Sequence, residues 1–279
     1  MDASQTWFIT GASRGLGLAL TEAALAAGHS VFATVRGEHS LPEHERLRVH
    51  RLDVCDRAAA RQAVARAVEV FGRLDVLVNN AGYGLIGALE EVTEAEARAI
   101  VDTDLFGPMW LSQAAVPVMR EQGAGQIVQI STVGAVGTMP TLGLYNAAKW
   151  GLEGFSEALA AEVAGFGIRV TIVEPGEINT DWAAASMRFS TPHPAYDPLR
   201  TGLFGTAEVP WPESDEPGTG TPARAAAAAI LRHVADPADT RLRLLVGEDA
   251  PGQVAAALAA RRLDYRRDTR FEAAEDAPR

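Results

Sequence analysis

The chain has 279 residues, 47% of them hydrophobic and 22% charged, a composition that excludes a disordered chain and is long enough to bury a core without disulfides. Acidic residues outnumber basic ones 36 to 25, for a net charge of −11, and no basic stripe or polybasic arm offers itself to nucleic acid or an anionic membrane. A single cysteine, Cys55, no basic-then-apolar leader and no run of 18 apolar residues lead to the expectation of a cytoplasmic protein without a membrane span.

The predicted elements alternate along the chain. Trp7–Thr10 reads as a strand and Leu16–Ala27 as an apolar helix stopped by Gly28. Val31–Val35 and Val49–Leu52 are strands, and Ala58–Phe71 is a helix. A fourth strand spans Leu74–Val78, and a helix from about Glu94 to Glu121 carries a kink at Gly107-Pro108. Gln126–Ile130 is a fifth strand, Leu144–Ala164 a long helix, and Arg169–Val173 and Leu242–Val246 the last two strands. Seven apolar strands separated by helices specify a parallel sheet covered on both faces, a doubly wound α/β architecture in one domain over residues 1–279. Residues 183–221 interrupt the rhythm with Pro, Gly, Thr and Ser among Met187, Phe189, Tyr196, Leu203, Phe204 and Trp211; that apolar content reads as a substrate lid rather than a solvated insertion. Residues 264–279 read as a helix end fraying into a charged tail.

Chemistry concentrates at the strand ends. The first strand runs into Thr10-Gly11-Ala12-Ser13-Arg14-Gly15-Leu16-Gly17, where glycines let the backbone approach a pyrophosphate at a helix N-terminus. Gly11, Ser13, Arg14, Gly15, Leu16 and Gly17 are thus candidate cofactor residues. The second strand ends at Val35-Arg36 with no carboxylate to repel a 2′-phosphate, and Arg36 can pair with one, so NADP(H) is expected over NAD(H). Asp53-Val54 after the third strand suits the adenine, although Asp53 could instead serve as a cap; Asp56 fits that role better. Asn79-Asn80-Ala81-Gly82 lines the carboxyl end of the fourth strand.

Tyr145 and Lys149, four residues apart, share one helix face. Of the 25 basic residues only Lys149 is lysine; the arginine excess itself reads as coding bias. An ammonium beside a phenol lowers its pKa and makes it a proton donor or acceptor near neutral pH. An exposed i,i+4 pair is the alternative. Ser131, just past the fifth strand, is placed to hold a carbonyl oxygen. No Gly-x-Ser-x-Gly elbow surrounds it, which sets a hydrolase aside. His29, His39, His44, His50, His193 and His233 are scattered, read as surface residues, and give no metal site.

Together these motifs resemble the short-chain dehydrogenases/reductases, single-domain type, tightly from Thr6 to about Thr180. The resemblance implies a Rossmann fold and a cofactor loop at Gly11, Gly15 and Gly17. It implies an adenine contact at Asp53 with Val54, and a cofactor-side turn at Asn80, Ala81 and Gly82. Ser131, Tyr145 and Lys149 would be the catalytic set, with Tyr145 and Lys149 also meeting the cofactor. Pro175, Gly176, Ile178 and Thr180 would lie at the nicotinamide end. It further implies a homodimer or homotetramer through the helices bearing Asp104 and Tyr145, where Trp110, Trp150 and Phe155 point outward. The family's Asn-x-x-Gly is Asp104-Leu105-Phe106-Gly107 here. Either its proton relay survives on a backbone carbonyl, or the pH dependence changes. The expected activity is interconversion of a ketone or aldehyde and an alcohol by hydride transfer. Tyr83, Val133, Met187 and Phe189 join Ser131 and Tyr145 around a fairly large apolar or aromatic small-molecule substrate. An epimerase or dehydratase retaining its cofactor, and a cofactor sensor without turnover, are the competing readings.

Overall fold

The computed structural model describes residues 4–179, 186–210 and 220–275; the expectations for Thr180 and Trp211 fall outside them. Five strands are buried along almost their whole length: β1 (Thr6–Thr10), β2 (Ser30–Val35), β4 (Val76–Asn79), β6 (Gly125–Ile130) and β7 (Ile168–Pro175). The edge strands β3 (Leu47–Arg51) and β11 (Arg243–Val246) have exposed positions. The seven form a parallel sheet in the order β11-β7-β6-β4-β1-β2-β3. Alternation along β1 sends Trp7 and Ile9 to one face and Phe8 to the other. Trp7 and Ile9 pack with Leu16 and Leu20 of α1 (Gly15–Ala26) and Ile230 of α7 (Ala223–Ala235). Phe8 packs with Val64 of α2 (Arg57–Phe71) and Leu111 of α4 (Gly107–Gln122). Strand order reverses direction between β1 and β4, and ligands bind doubly wound sheets at the carboxyl ends beside such a reversal.

Local chemistry explains the helix ends. Asp56 accepts the Ala59 N–H at 2.9 Å and caps α2, and Gly72 ends it at φ +78°. Thr93 and Glu96 form a capping box at the start of α3 (Glu94–Val101). The expected kink in the following helix is a π-turn over Asp102–Phe106, between α3 and α4. Pro108 has no N–H to give the Asp104 carbonyl and its ring crowds that oxygen. The chain shifts register instead, and the Gly107 N–H bonds the Asp102 carbonyl. Turns of this kind gather at functional sites.

The segment expected to be irregular holds short elements in its described part. β9 (Met187–Phe189) pairs with β5 (Gly84–Ile86), and α6 (Asp197–Phe204) follows a 3-10 turn. β8 (Ile178–Asn179) pairs with β10 (Thr221–Pro222). After β11 the chain continues as α5's neighbour: α5 (Gly143–Val163) carries Trp150, and Arg261 of α8 (Ala250–Tyr265) lies over that ring at 4.7 Å. Beyond α8, α9 (Thr269–Glu275) returns Phe271 to stack on Tyr265. No helix among the described residues is long and apolar enough to cross a membrane.

Candidate active site

The carboxyl ends of the strands enclose one continuous cleft of about 1230 Å³. At one end β1 turns into α1. Gly11 and Gly15 adopt φ +65° and +56°, a region that penalises any Cβ. At Gly17 a side chain would collide with the Gly11 carbonyl and the Asn80 amide, so only glycine lets α1 approach this closely. Gly17 therefore supports the loop from behind, while Gly11, Ser13, Arg14, Gly15 and Leu16 line it. No side chain caps the N-terminus of α1 and no acidic residue lies in its first turn. Its N–H groups and dipole thus face the cleft, a fit for a dinucleotide pyrophosphate.

The turn after β4 is stapled to this loop. Thr10 Oγ1 accepts the N–H groups of Asn80 and Ala81, both at 2.9 Å, and Asn80 Nδ2 donates to the Thr10 carbonyl at 2.9 Å. Asn80, Ala81 and Gly82 reach the wall in this way. Farther along lie Arg36, Asp53 and Val54, with one Asp53 oxygen taking the Cys55 N–H. Glu38 is not part of the wall.

The centre of the cleft corrects one expectation. Ser131 extends the β6 pairing through its N–H to the Val173 carbonyl, and its Oγ donates to buried Glu153 at 2.6 Å. Ser131 contributes to the wall, but its hydroxyl is committed elsewhere. Strand alternation turns the next residue, Thr132, the other way. Thr132 is extended at φ −166° and its side chain is hydrogen-bonded to that of Tyr145. The hydroxyl beside the phenol belongs to Thr132.

Tyr145 is buried, and Lys149 Nζ lies 5.9 Å from its ring centre. Lys149 donates to the Ile130 carbonyl at 3.0 Å and pairs with Asp104 Oδ2 at 3.4 Å. Asp104 is fully buried, and its Oδ1 accepts the Tyr83 N–H at 3.1 Å. Burial pushes the Asp104 carboxyl up, against the pull of Lys149. Burial also pushes the Tyr145 phenol up, the Asp104 charge adds to this, and the Thr132 hydrogen bond opposes it. The expectation that Lys149 acidifies the phenol thus meets the opposite direction here, because burial, with the Asp104 charge adding to it, disfavours the phenolate.

Pro175, Gly176 and Ile178 line the cleft beyond Lys149. Asp249 fills the space where a Gly176 side chain would stand, and accepts the Glu177 N–H at 2.9 Å. At the far end Tyr83 and Val133 are joined by Met139, Leu142, Leu203 and Phe204. Met187 and Phe189 do not line the cleft; their neighbours Ser186 and Arg188 do, because β9 presents the opposite face. The Arg188 guanidinium sits 4.3 Å over the Tyr83 ring. Other wall residues were not anticipated, among them Gln253 and Ala257 of α8, and Asn146, whose buried amide has no hydrogen-bond partner among the described residues. Nothing in their sequence spacing marks them. His233 is also not the surface residue expected: it is buried between Thr171 Oγ1 at 2.9 Å and Asp239 at 2.8 Å, outside the cleft. Among the described residues no cluster suits a metal ion.

Comparison with known proteins agrees with this geometry. The short chain dehydrogenase family model matches residues 5–189. The chain is 41% identical to an oxidoreductase of Botryotinia fuckeliana called BOA17, over 92% of this chain and 95% of that one. A short-chain dehydrogenase from Streptomyces avermitilis superposes with a TM-score of 0.85 at 36% identity, covering 98% of this chain and all of the other. One from Burkholderia cenocepacia, solved in complex with NADP, superposes at 0.72 and 26% identity over 94% of this chain and 95% of its own. The protein belongs to the short-chain dehydrogenase family and is an NAD(P)-dependent oxidoreductase acting on small molecules.

Proposed function

We propose that the protein is an NADPH-dependent reductase of ketones or aldehydes, running equally as an alcohol dehydrogenase, with a fairly large apolar or aromatic substrate. The observation that carries this reading is the hydrogen-bonded Thr132–Tyr145 pair, with Lys149 below it, opening onto the same cleft as the glycine loop. The nicotinamide, when bound, supplies the hydride that a carbonyl carbon accepts. Thr132 holds the carbonyl oxygen, and the Tyr145 hydroxyl gives that oxygen its proton, leaving an alcohol. Lys149 is held by the Ile130 carbonyl and Asp104, within reach of the nicotinamide ribose. Residues 186–210 act as a lid, since Leu203 and Phe204 close the apolar end.

Arg36 on the wall, where β2 ends at Val35 without a carboxylate, supports NADPH over NADH. The NADP-bound relative from Burkholderia points the same way. A panel of aryl and long-chain ketones and aldehydes, followed at the reduced-cofactor band with both nucleotides, tests the whole reading. NADPH is expected to give the higher kcat/KM, and Tyr145→Phe to lose roughly 10²-fold or more. Preference for NADH would overturn the cofactor assignment. Undiminished turnover by Tyr145→Phe would overturn the chemistry.

A further inference from the structure

The charge available to Tyr145 depends on a carboxylate one helix away. Asp104 is held on the π-turn by the Tyr83 N–H, with no exposed surface, and among the described residues its Oδ2 meets no donor other than Lys149. The 3.4 Å approach of Lys149 Nζ is what that oxygen has. Lys149 in turn spends one donor on the Ile130 carbonyl. From α5, Lys149 and Tyr145 face this carboxylate. From the turn after β4 comes Tyr83, overlaid by Arg188, and from the loop after β3 comes Cys55, 3.4 Å from the hydroxyl of neighbouring Thr103. Asp102 shares the π-turn itself. Lys149 is therefore the one cation among the described residues in contact with Asp104.

A buried carboxylate and ammonium 3.4 Å apart act as one electrostatic unit. Whether the shared proton sits on nitrogen or oxygen, the pair carries no net charge. A bare ammonium about 6 Å from a phenol would draw off its proton; a neutral pair has no such pull.

We propose that Asp104 is a positioning residue that cancels the charge of Lys149, so that Tyr145 works as an uncharged proton donor from neutral into alkaline pH. This rests on Tyr145 being the general acid of the proposed reduction. The upward direction of the Tyr145 phenol, from burial and then Asp104, agrees with it.

A spectroscopic titration separates the two claims, because it needs no turnover. Tyrosinate absorbance of the wild-type protein minus that of Tyr145→Phe isolates Tyr145 from the other three tyrosines of the chain. The expected midpoint lies above the ordinary tyrosine value of about 10. The same difference taken on the Asp104→Asn background is expected about one pH unit or more lower. The alkaline limb of kcat/KM for carbonyl reduction should fall by the same amount. Equal midpoints in the two backgrounds overturn the proposal. If Asp104→Asn does not fold, the wild-type midpoint decides alone, and a value below about 10 overturns it. Full turnover by Tyr145→Phe would instead sink the general-acid reading and leave the titration result standing.

Discussion

Ser131 and Thr132 are adjacent hydroxyls at the end of one strand, and their fates differ by a single step of alternation. Ser131 Oγ is 2.6 Å from Glu153, while Thr132 meets Tyr145. Thr132→Val keeps the side-chain volume and removes the donor aimed at a carbonyl oxygen. Loss of one such donor costs roughly 10²–10³ in rate, so kcat/KM for carbonyl reduction should fall by that factor. Ser131→Ala strips a hydrogen bond from a buried carboxyl and should show as about 1–3 kcal/mol of stability, with a far smaller loss of activity. Steady-state kinetics and a denaturant melt on both variants distinguish the two, and a greater kinetic loss from Ser131→Ala would reverse the assignment. The sequence makes Tyr145 and Lys149 legible because a helix fixes which residues share a face. It points to Ser131 and passes over Thr132, because the parity of a strand depends on where it enters the sheet, which residue types do not reveal. The same parity separates Met187 and Phe189 from Ser186 and Arg188, which line the cleft.

At the scale of elements, α6 is held to the body by one buried arginine. Arg200 reaches Glu91 at 2.6 Å, Asp197 at 2.7 Å and the His193 carbonyl at 2.9 Å, and Glu91 also accepts the His193 N–H at 2.7 Å. Leu203 and Phe204 on the same helix close the apolar end of the cleft, so this ion pair sets the position of the substrate wall. Arg200→Met leaves Glu91 buried without its cation, a change that costs about 3–5 kcal/mol. Because the lost anchor is local to α6, we expect KM for a bulky ketone to rise about tenfold with a smaller change in kcat, alongside a lower Tm. A KM that stays put while Tm falls would show that α6 does not shape the substrate site. None of this was legible beforehand. In a chain with 24 arginines one more has no signature, and its partner Glu91 lies on a turn some hundred residues earlier. The π-turn was half legible: Pro108 announced a break, but whether the helix would bend or change register depends on the packing around it.

For the whole molecule the sheet was the most legible feature, since seven apolar runs separated by helices admit few arrangements. The charge network beneath it was not, because it joins three distant elements. Glu153 of α5 and Glu174 of β7 are both buried, and Arg243 of β11 bridges them and Glu157. Burial, with the Glu153 charge adding to it, pushes Glu174 up to about 7 from an ordinary 4.5, and burial raises Glu153 as well. These carboxyls hold protons in the folded state that the unfolded chain releases at lower pH. Stability from them is complete below the unfolded value and is lost as pH rises through the folded one. Carboxyls held low act elsewhere: Glu96, through the Thr93 N–H first, and Asp239, through Arg241 first, lose their contributions only as pH falls into the acid range. Between pH 5 and 8 the carboxyls held high, Glu174 and Glu153 with Asp104 beside the cleft, therefore set the slope. Tm should decline across that window by a few degrees, on the order of 2 kcal/mol. Glu174→Gln cannot titrate and still fills the site, so its Tm should decline less steeply there, with Glu153 and Asp104 keeping the remainder. Calorimetric scans at pH 5, 6, 7 and 8 on both proteins make the comparison. A wild-type Tm that holds steady or climbs toward pH 8, or a variant that declines as steeply as wild type, would show that these carboxyls do not govern the stability of the fold.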